Sequence, residues 1–189
     1  MTIEQTVLPQ FQASGSDLFQ RGLVTTHSGN LSIKKGGRVF ITRHGCMLGR
    51  LAAGDVVETE LLKEEPIDDA ASMDLAVHRA VYELSLAQAI VHAHPTHAIA
   101  LSLTTEKIVP ADVEGTVLLG SVPVVGKGED VGPGKGAEAI AKAFRDHNVV
   151  MACGHGCFAA GESLGEACHR AMTLEESSRV LFLLKTLGQ

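Results

Sequence analysis

Alternating apolar and polar positions predict a β-hairpin near the N-terminus. Residues 30–34 and 38–42 each alternate in character, and the Lys-Gly-Gly sequence between them is typical of a tight turn. Before this hairpin, the first 23 residues have apolar side chains at helical spacing. We expect them to be mostly helical, with a break at residues 14–16, where two serines flank a glycine.

A second helix is predicted over residues 72–84, where apolar side chains again recur at helical spacing. Ser72 is a suitable N-cap, which places Asp74 in the first turn. The opposite stripe of this helix is polar, because Asp74, His78 and Tyr82 lie at positions i, i+4 and i+8.

Strands and helices alternate in the rest of the chain. A buried strand that begins at residue 89 runs directly into His92-Ala93-His94-Pro95. The further predicted elements are a strand over 117–125, a turn over 132–136, a helix over 137–146, a strand over 149–153 and its hairpin partner over 157–160. Ser163 and Glu166 match a capping box that opens the longest helix. Because hairpins recur among these elements, we expect a mixed sheet flanked by helices.

Composition limits the class of protein and its partners. With 189 residues and 45% apolar side chains, the chain can form one buried core, and we expect a single domain over residues 1–189. The net charge of -6 and an aromatic content of 4% argue against nucleic acid as a partner. No stretch is apolar enough to span a membrane. The first twenty residues lack a secretory pattern and no C-x-x-C pair occurs, so we expect a cytoplasmic protein with reduced thiols.

Three of the nine histidines are candidates for a metal site. His92 and His94 lie one residue apart on a predicted strand, so their rings project from the same face with backbones about 7 Å apart. Such a pair alone is more often an ordinary part of a core. His155, however, lies between two glycines at the tip of a predicted hairpin, where the backbone can approach a site closely. Three imidazoles with an open fourth position are typical of catalytic zinc.

Polar residues elsewhere could complete an active site. The carboxylate of Asp74 is suited to act as a base, although acidic residues also favour the first turn of a helix for capping. Gly29 and Asn30 lie at one far end of the predicted hairpin, and His44 and Gly45 lie at the other, which is adjacent because the strands pair antiparallel. Both ends could offer donors to an anion, or they are ordinary turn residues.

These residues follow the order of a known family. The order is Ser28-Gly29-Asn30-Leu31-Ser32, Thr42 to Gly45, Ser72-Met73-Asp74 with His78 and Tyr82, His92-Ala93-His94-Pro95, and Gly154-His155-Gly156. In this order the chain resembles the class II aldolase/adducin head family over nearly its whole length. The resemblance implies a three-layer α/β/α fold around a central mixed, largely antiparallel sheet. It also implies a homotetramer with active sites at the subunit interfaces.

The resemblance assigns roles to the candidate residues. It implies zinc, or another divalent metal, on His92, His94 and His155, and it implies a catalytic role for Asp74 in the place of a usual glutamate. The residues that match phosphate-binding positions are Gly29, Asn30, His44, Gly45 and Ser72. The implied function is a zinc-dependent aldolase, a carbon–carbon lyase that cleaves a small sugar phosphate or related hydroxy-ketone through a metal-stabilised enediolate.

The sequence also departs from the family pattern, and other functions stay open. Met73 and His44 replace hydroxyl-bearing residues of the family pattern. Glu114 stands where the family has a proton-donating tyrosine. The chain's one tyrosine is Tyr82, on the second predicted helix. The alternatives are a decarboxylase or dehydratase of the same family, a non-catalytic module like the adducin head, and a structural metal site completed by Cys153 and Cys157.

Overall fold

The computed structural model describes residues 3–62, 70–126 and 136–188. The predicted turn over residues 132–136 lies outside the described residues except for Gly136, and an acidic segment at residues 64–69 lies outside them entirely.

The described part of the chain contains eight strands and six α-helices. The strands are β1 (Asn30–Lys35), β2 (Arg38–Thr42), β3 (Val56–Glu60), β4 (Ala89–Ala93), β5 (Lys107–Ile108), β6 (Val122–Val125), β7 (Val149–Ala152) and β8 (Gly156–Gly161). The helices are α1 (Ile3–Gln20), α2 (Leu75–Leu84), α3 (Thr96–Ser102), α4 (Val113–Leu118), α5 (Ala137–Ala143) and α6 (Leu164–Thr186). A short 3₁₀ helix covers Leu48–Arg50.

The eight strands form one sheet in the order β3-β2-β1-β4-β8-β7-β6-β5. Neighbouring strands run antiparallel except β6 and β7, which pair in parallel. The predicted hairpin is β1–β2, and Gly36 and Gly37 in its turn have φ angles of 59° and 77°, which glycine adopts most readily. The expectation of a mixed, largely antiparallel sheet is therefore confirmed.

Helices cover both faces of this sheet. Helices α1, α3 and α6 pack on one face, where Phe11, Leu101 and Leu174 join one apolar core. Helices α2 and α5 pack on the other face, where Val81 and Ile140 join a second core. The expected three-layer α/β/α architecture is confirmed. No helix among the described residues combines the length and the apolar character that crossing a bilayer requires.

The expected break in α1 is wrong, because the helix runs through residues 14–16 without interruption. Gly15 is required there for packing. A Cβ atom at this position would overlap the carbonyl oxygen of Leu48, so only glycine lets α1 approach the 3₁₀ helix so closely. The glycine marks a contact between helices and not a helix end.

The expected strand over residues 117–125 is wrong over residues 117–121, because Val117 and Leu118 belong to α4 and residues 119–121 lie between that helix and the strand. Asp112 begins this helix as its N-cap, and its Oδ1 atom accepts a hydrogen bond of 2.7 Å from the N–H of Gly115. This local cap outweighs the strand preference of the valines that follow. The strand itself, β6, covers Val122–Val125.

Two helix starts differ slightly from the expected ones. Helix α2 begins at Leu75, so Asp74 lies at the N-cap position and not in the first turn. Helix α6 begins with the predicted capping box, since Ser163 Oγ accepts from the N–H of Glu166. The carboxylate of Glu166 accepts from the N–H of Glu162, one residue before the expected partner.

Candidate active site

Strand β4 brings His92 and His94 together near the middle of the sheet. His92 is buried, and its Nδ1 atom donates to the carbonyl oxygen of Cys157 at 3.0 Å, which leaves the lone pair on Nε2. The backbone N–H of His94 donates to the carbonyl oxygen of Leu23 at 2.7 Å, which holds the residue just past the strand. The two rings lie 4.8 Å apart between centroids, and their Nε2 atoms are separated by 3.1 Å.

The turn between β7 and β8 carries the third histidine to the same place. The centroid of the His155 ring lies 4.9 Å from that of His92 and 5.3 Å from that of His94. Gly156 is necessary for this arrangement. A Cβ atom there would lie 2.6 Å from Cδ2 of His94 and 3.0 Å from Cε1 of His92, so the missing side chain leaves the space that the two rings occupy.

The donor set formed by these three residues fits a divalent metal. Their ligand nitrogens all lie within 4.8 Å of one another. Two nitrogens bound to one tetrahedral zinc are roughly 3.3 Å apart, given Zn–N bonds of about 2.0–2.1 Å. Burial lowers the pKa of His92 to about 3 and also lowers the pKa of His94. Both rings are therefore neutral near neutral pH, which is the form that binds metals.

Neither flanking cysteine belongs to this group of donors. Among the described residues, the one group suited to a metal consists of the three histidines. The thiol of Cys153 lies 3.4 Å from the carbonyl oxygen of Ser102, and burial raises the pKa of the Cys157 thiol to about 12. This arrangement does not favour the alternative of a structural site completed by cysteine.

The carboxylate of Asp74 lies beside the three histidines. Its Oδ2 atom is 3.7 Å from Nε2 of His92, and it accepts a hydrogen bond of 2.7 Å from Nδ2 of Asn30. Because His92 is neutral, the first contact is not an ion pair. Asp74 makes no capping hydrogen bond to α2 with its side chain. Helix capping therefore does not explain this aspartate, whose carboxylate faces the histidines.

The open end of the β1–β2 hairpin gathers the residues that match phosphate-binding positions. The backbone N–H of Ser72 donates to the carbonyl oxygen of Thr42 at 3.1 Å. The backbone N–H of His44 donates to the carbonyl oxygen of Ala70 at 2.9 Å. These bonds hold residues 70–72 against the end of β2. Ser72 is buried, whereas His44 and Gly45 are exposed.

Gly29 joins this region to the metal-binding strand. It has a φ angle of 77°, and a Cβ atom there would lie 2.7 Å from the carbonyl oxygen of His92. The loop before β1 therefore packs directly against β4. Gly29 and Asn30 therefore lie beside the metal-binding strand, and an anion-binding role for the hairpin end stays a prediction.

Two contacts at the site are not visible in the sequence. Phe158 stacks on His92 with ring centroids 4.2 Å apart, and Asn30 binds Asp74. The stacking follows from strand register, because Phe158 on β8 lies opposite His92. The register of β1 places Asn30 opposite His92, and the bond to Asp74 depends in addition on the position of α2 against the sheet. The alternation of residues predicts which face a side chain takes, but it does not predict which residue lies opposite.

The residues considered for the tyrosine role lie away from the three histidines. Glu114 is exposed on α4, 3.5 Å from the imidazole of His169. Tyr82 is buried on α2, and its hydroxyl group lies 2.7 Å from Oγ of Ser32.

Known proteins resemble the chain over nearly its whole length. The family model for the Class II Aldolase and Adducin N-terminal domain matches residues 10–182. A 3-oxo-tetronate 4-phosphate decarboxylase from Pectobacterium atrosepticum is 29% identical, across 97% of this chain and 87% of that protein. A methylthioribulose-1-phosphate dehydratase from Acidiphilium cryptum is 33% identical, across 86% of this chain and 83% of that protein.

A solved structure gives the same result at the level of the fold. The crystal structure of L-fuculose-1-phosphate aldolase from Thermus thermophilus superposes with a TM-score of 0.90 and 37% sequence identity, covering 95% of this chain and 94% of that one. The three similar proteins are named for three different reactions, so the reaction of this chain has to be argued from its own residues.

Proposed function

The chain belongs to the class II aldolase and adducin N-terminal domain family, and from that premise we propose that it is a metal-dependent carbon–carbon lyase. Its substrate is a small sugar phosphate or a related hydroxy-ketone. One observation carries the proposal, namely that the ligand nitrogens of three imidazoles converge within 4.8 Å while a buried carboxylate lies 3.7 Å from one of them. A non-catalytic module has no use for this combination.

His92, His94 and His155 would hold the metal, which when bound would supply the positive charge that stabilises an enediolate. Asp74 moves the proton at the carbon next to the substrate carbonyl. Asn30 holds the carboxylate of Asp74 in place through its amide N–H, at 2.7 Å. Because Asp74 is only 5% exposed, bulk water has little access to this proton.

The other end of the substrate belongs at the open end of the hairpin. Gly29, Asn30, His44, Gly45 and Ser72 are the residues that we propose for its phosphate. Gly29 and Gly45 have left-handed φ angles, and turns of this kind present backbone N–H groups to anions. The hydroxyl group of Ser72 is a further hydrogen-bond donor. The imidazole of His44 is an additional donor at the solvent side.

Decarboxylation of a β-oxo acid is the second candidate reaction, and one observation favours it. Aldol cleavage needs a group that takes the proton of a substrate hydroxyl, and the chain's one tyrosine is buried against Ser32. A β-oxo carboxylate needs no such base. Its C1–C2 bond breaks, carbon dioxide leaves, the electron pair forms an enolate, and Asp74 returns a proton to C2. Dehydration is the third reaction named among the similar proteins.

We also propose that the metal is zinc, that the protein forms a homotetramer and that it is located in the cytoplasm. Val113 and Val117 on α4 are 81% and 83% exposed, and apolar side chains of this kind are commonly covered by another subunit. All four cysteines are free, as is usual in a reducing compartment.

A substrate screen with one active-site variant tests the proposal. Metal-loaded protein is assayed with L-fuculose 1-phosphate, 3-oxo-tetronate 4-phosphate and methylthioribulose 1-phosphate. Asp74→Asn should lower kcat by about 10²–10⁴-fold on the substrate that turns over, with metal content unchanged. Asp146→Asn, an exposed aspartate after α5, is the matched control and should keep full activity. Full turnover by Asp74→Asn would contradict the assigned role, and dehydration of methylthioribulose 1-phosphate without cleavage of either other substrate would contradict the carbon–carbon lyase proposal.

A further inference from the structure

A row of polar side chains joins helix α2 to strand β1. Asn30, Ser32 and Lys34 are alternate residues of β1 and therefore share one face of the sheet. The polar stripe of α2 lies against them. Their contacts are Asn30 Nδ2 to Asp74 Oδ2 at 2.7 Å, Ser32 Oγ to His78 Nδ1 at 2.6 Å, Ser32 Oγ to Tyr82 OH at 2.7 Å, and Lys34 Nζ to the Tyr82 carbonyl oxygen at 3.3 Å. We refer to these six residues as the β1–α2 ladder.

The hydroxyl group of Ser32 is the central link of the ladder. Ser32 and His78 are fully buried, and Tyr82 is 3% exposed. Burial raises the pKa of Tyr82 and lowers that of His78 to about 4, so the phenol keeps its proton and the imidazole is neutral. The Ser32 hydroxyl therefore lies between two neutral groups and hydrogen-bonds to both, to Nδ1 of His78 and to the hydroxyl group of Tyr82. One hydroxyl thus provides a hydrogen-bond partner for two buried side chains on successive turns of α2.

The ladder is directly connected to the candidate active site. Asp74 immediately precedes α2, and its carbonyl oxygen accepts the backbone N–H of His78 at 3.0 Å. Strand β1 also fixes the position of His92, because Asn30 lies opposite His92 in the pairing of β1 with β4. Strand β1 is therefore a common reference for the carboxylate and for the imidazole beside it.

We infer that Ser32 is a positioning residue, which holds α2 in register on β1 and so keeps the Asp74 carboxylate beside His92. This inference rests on the proposed function of Asp74. An apolar contact does not fix register in this way, because hydrogen bonds require partners at defined distances. A displaced helix would leave the buried hydroxyl groups of Ser32 and Tyr82 without these partners, which is costly, so the ladder favours one register of the helix.

A second link between α2 and the sheet provides a matched control. Nη2 of Arg79 donates to Oγ1 of Thr59 on β3 at 2.8 Å. Thr59 is 6% exposed, and it contacts neither Asp74 nor the ladder through this bond. Thr59→Val removes one buried hydroxyl partner of α2 at nearly constant volume, as Ser32→Ala does on the ladder.

The test combines kinetics, metal analysis and crystal structures of Ser32→Ala, Ser32→Thr, Tyr82→Phe and Thr59→Val. Ser32→Ala should lower kcat by about tenfold or more, because a displacement of about 1 Å is enough for such a loss. KM and metal content should stay within about threefold of the wild type. Ser32→Thr, which keeps the hydroxyl, should recover kcat, and Thr59→Val should leave it within about twofold. Tyr82→Phe, the milder change, should lower kcat less than Ser32→Ala does.

Unchanged kcat in both Ser32→Ala and Tyr82→Phe would overturn the inference, provided that Asp74→Asn is inactive. An equal loss of kcat in Thr59→Val would also overturn it, because any loosening of α2 would then have the same effect. If the wild type cleaves no substrate, the proposed function fails, and the crystal structures alone decide about the ladder. An Asp74–Asn30 contact that stays at 2.7 Å in Ser32→Ala would then refute it, and a contact lengthened beyond hydrogen-bonding distance would support it.

Discussion

Single residues at the site are selected as much by the space that they leave as by the groups that they carry. Gly156 carries no side chain, yet the rings of His92 and His94 lie where its Cβ atom would be. Gly29 likewise lets the loop before β1 reach the carbonyl oxygen of His92. The glycines of the sequence motifs thus define the shape of the candidate metal site.

At the same scale, the three histidines could be predicted from the sequence and their supporting residues could not. The spacing of His92 and His94 and the glycines around His155 are local features, which a pattern records directly. The stacking of Phe158 on His92 depends on the register of β4 with β8, and the place of Asn30 beside His92 depends on the register of β1 with β4. A shift of one residue in either register would replace the contact that this register sets.

Burial of His78 predicts a loss of stability in mild acid. Burial lowers its pKa from the ordinary 6.5 to about 4. The unfolded chain takes up this proton below about pH 6.5, whereas the folded protein takes it up only near pH 4. The free energy of unfolding should therefore fall as the pH is lowered through this range, by about 1.4 kcal/mol per pH unit for this residue. Above about pH 6.5 neither state binds the proton, so this loss of stability is absent.

Urea unfolding of the wild type and of His78→Gln at several pH values between about 4 and 7 measures this effect. The variant should show a shallower dependence on pH, by the equivalent of about one proton. If the free energy of unfolding depended on pH equally in the two proteins, the predicted role of His78 would be contradicted.

At the scale of elements, packing and local caps account for the departures from the sequence pattern. The serine–glycine–serine sequence of α1 has the composition of a break, but it provides a contact with the 3₁₀ helix. The valines before β6 have strand preference, but the cap at Asp112 starts a helix there. Apolar periodicity predicted α2 and α5 because each of them buries one face against the sheet.

Replacement of Gly15 by alanine tests the packing explanation. Helix propensity alone predicts stabilisation of α1 by about 1 kcal/mol. We expect Gly15→Ala to be destabilising by about 1–3 kcal/mol instead, because the new methyl group meets backbone atoms of Leu48.

Thermal or urea unfolding measures the change, with Gly165→Ala as the control. Gly165 lies in the first turn of α6, and the nearest atom to a methyl group placed there is Oγ of Ser163 at 3.8 Å. This control should be neutral or slightly stabilising. A stabilised Gly15→Ala protein would show that the contact with Leu48 does not constrain α1.

At the scale of the whole molecule, the fold brings distant segments to one point. The histidines come from β4 and from the β7–β8 turn, the carboxylate comes from the residue before α2, and the hairpin end comes from β1 and β2. Strands β1, β4 and β8 are neighbours in the sheet, although more than a hundred residues separate the first from the last. The class of fold was predictable from the resemblance and from the recurring hairpins, whereas this strand order was not specified by either.

The measurement that tests the central claim most directly is the rate of substrate cleavage before and after removal of the metal. Purified protein is assayed on its best substrate, stripped with a chelator and assayed again after addition of zinc. We expect the stripped protein to lose cleavage, and about one equivalent of zinc per chain to restore it. Full turnover in protein that contains no measurable metal would contradict the claim that His92, His94 and His155 hold the ion on which the reaction depends.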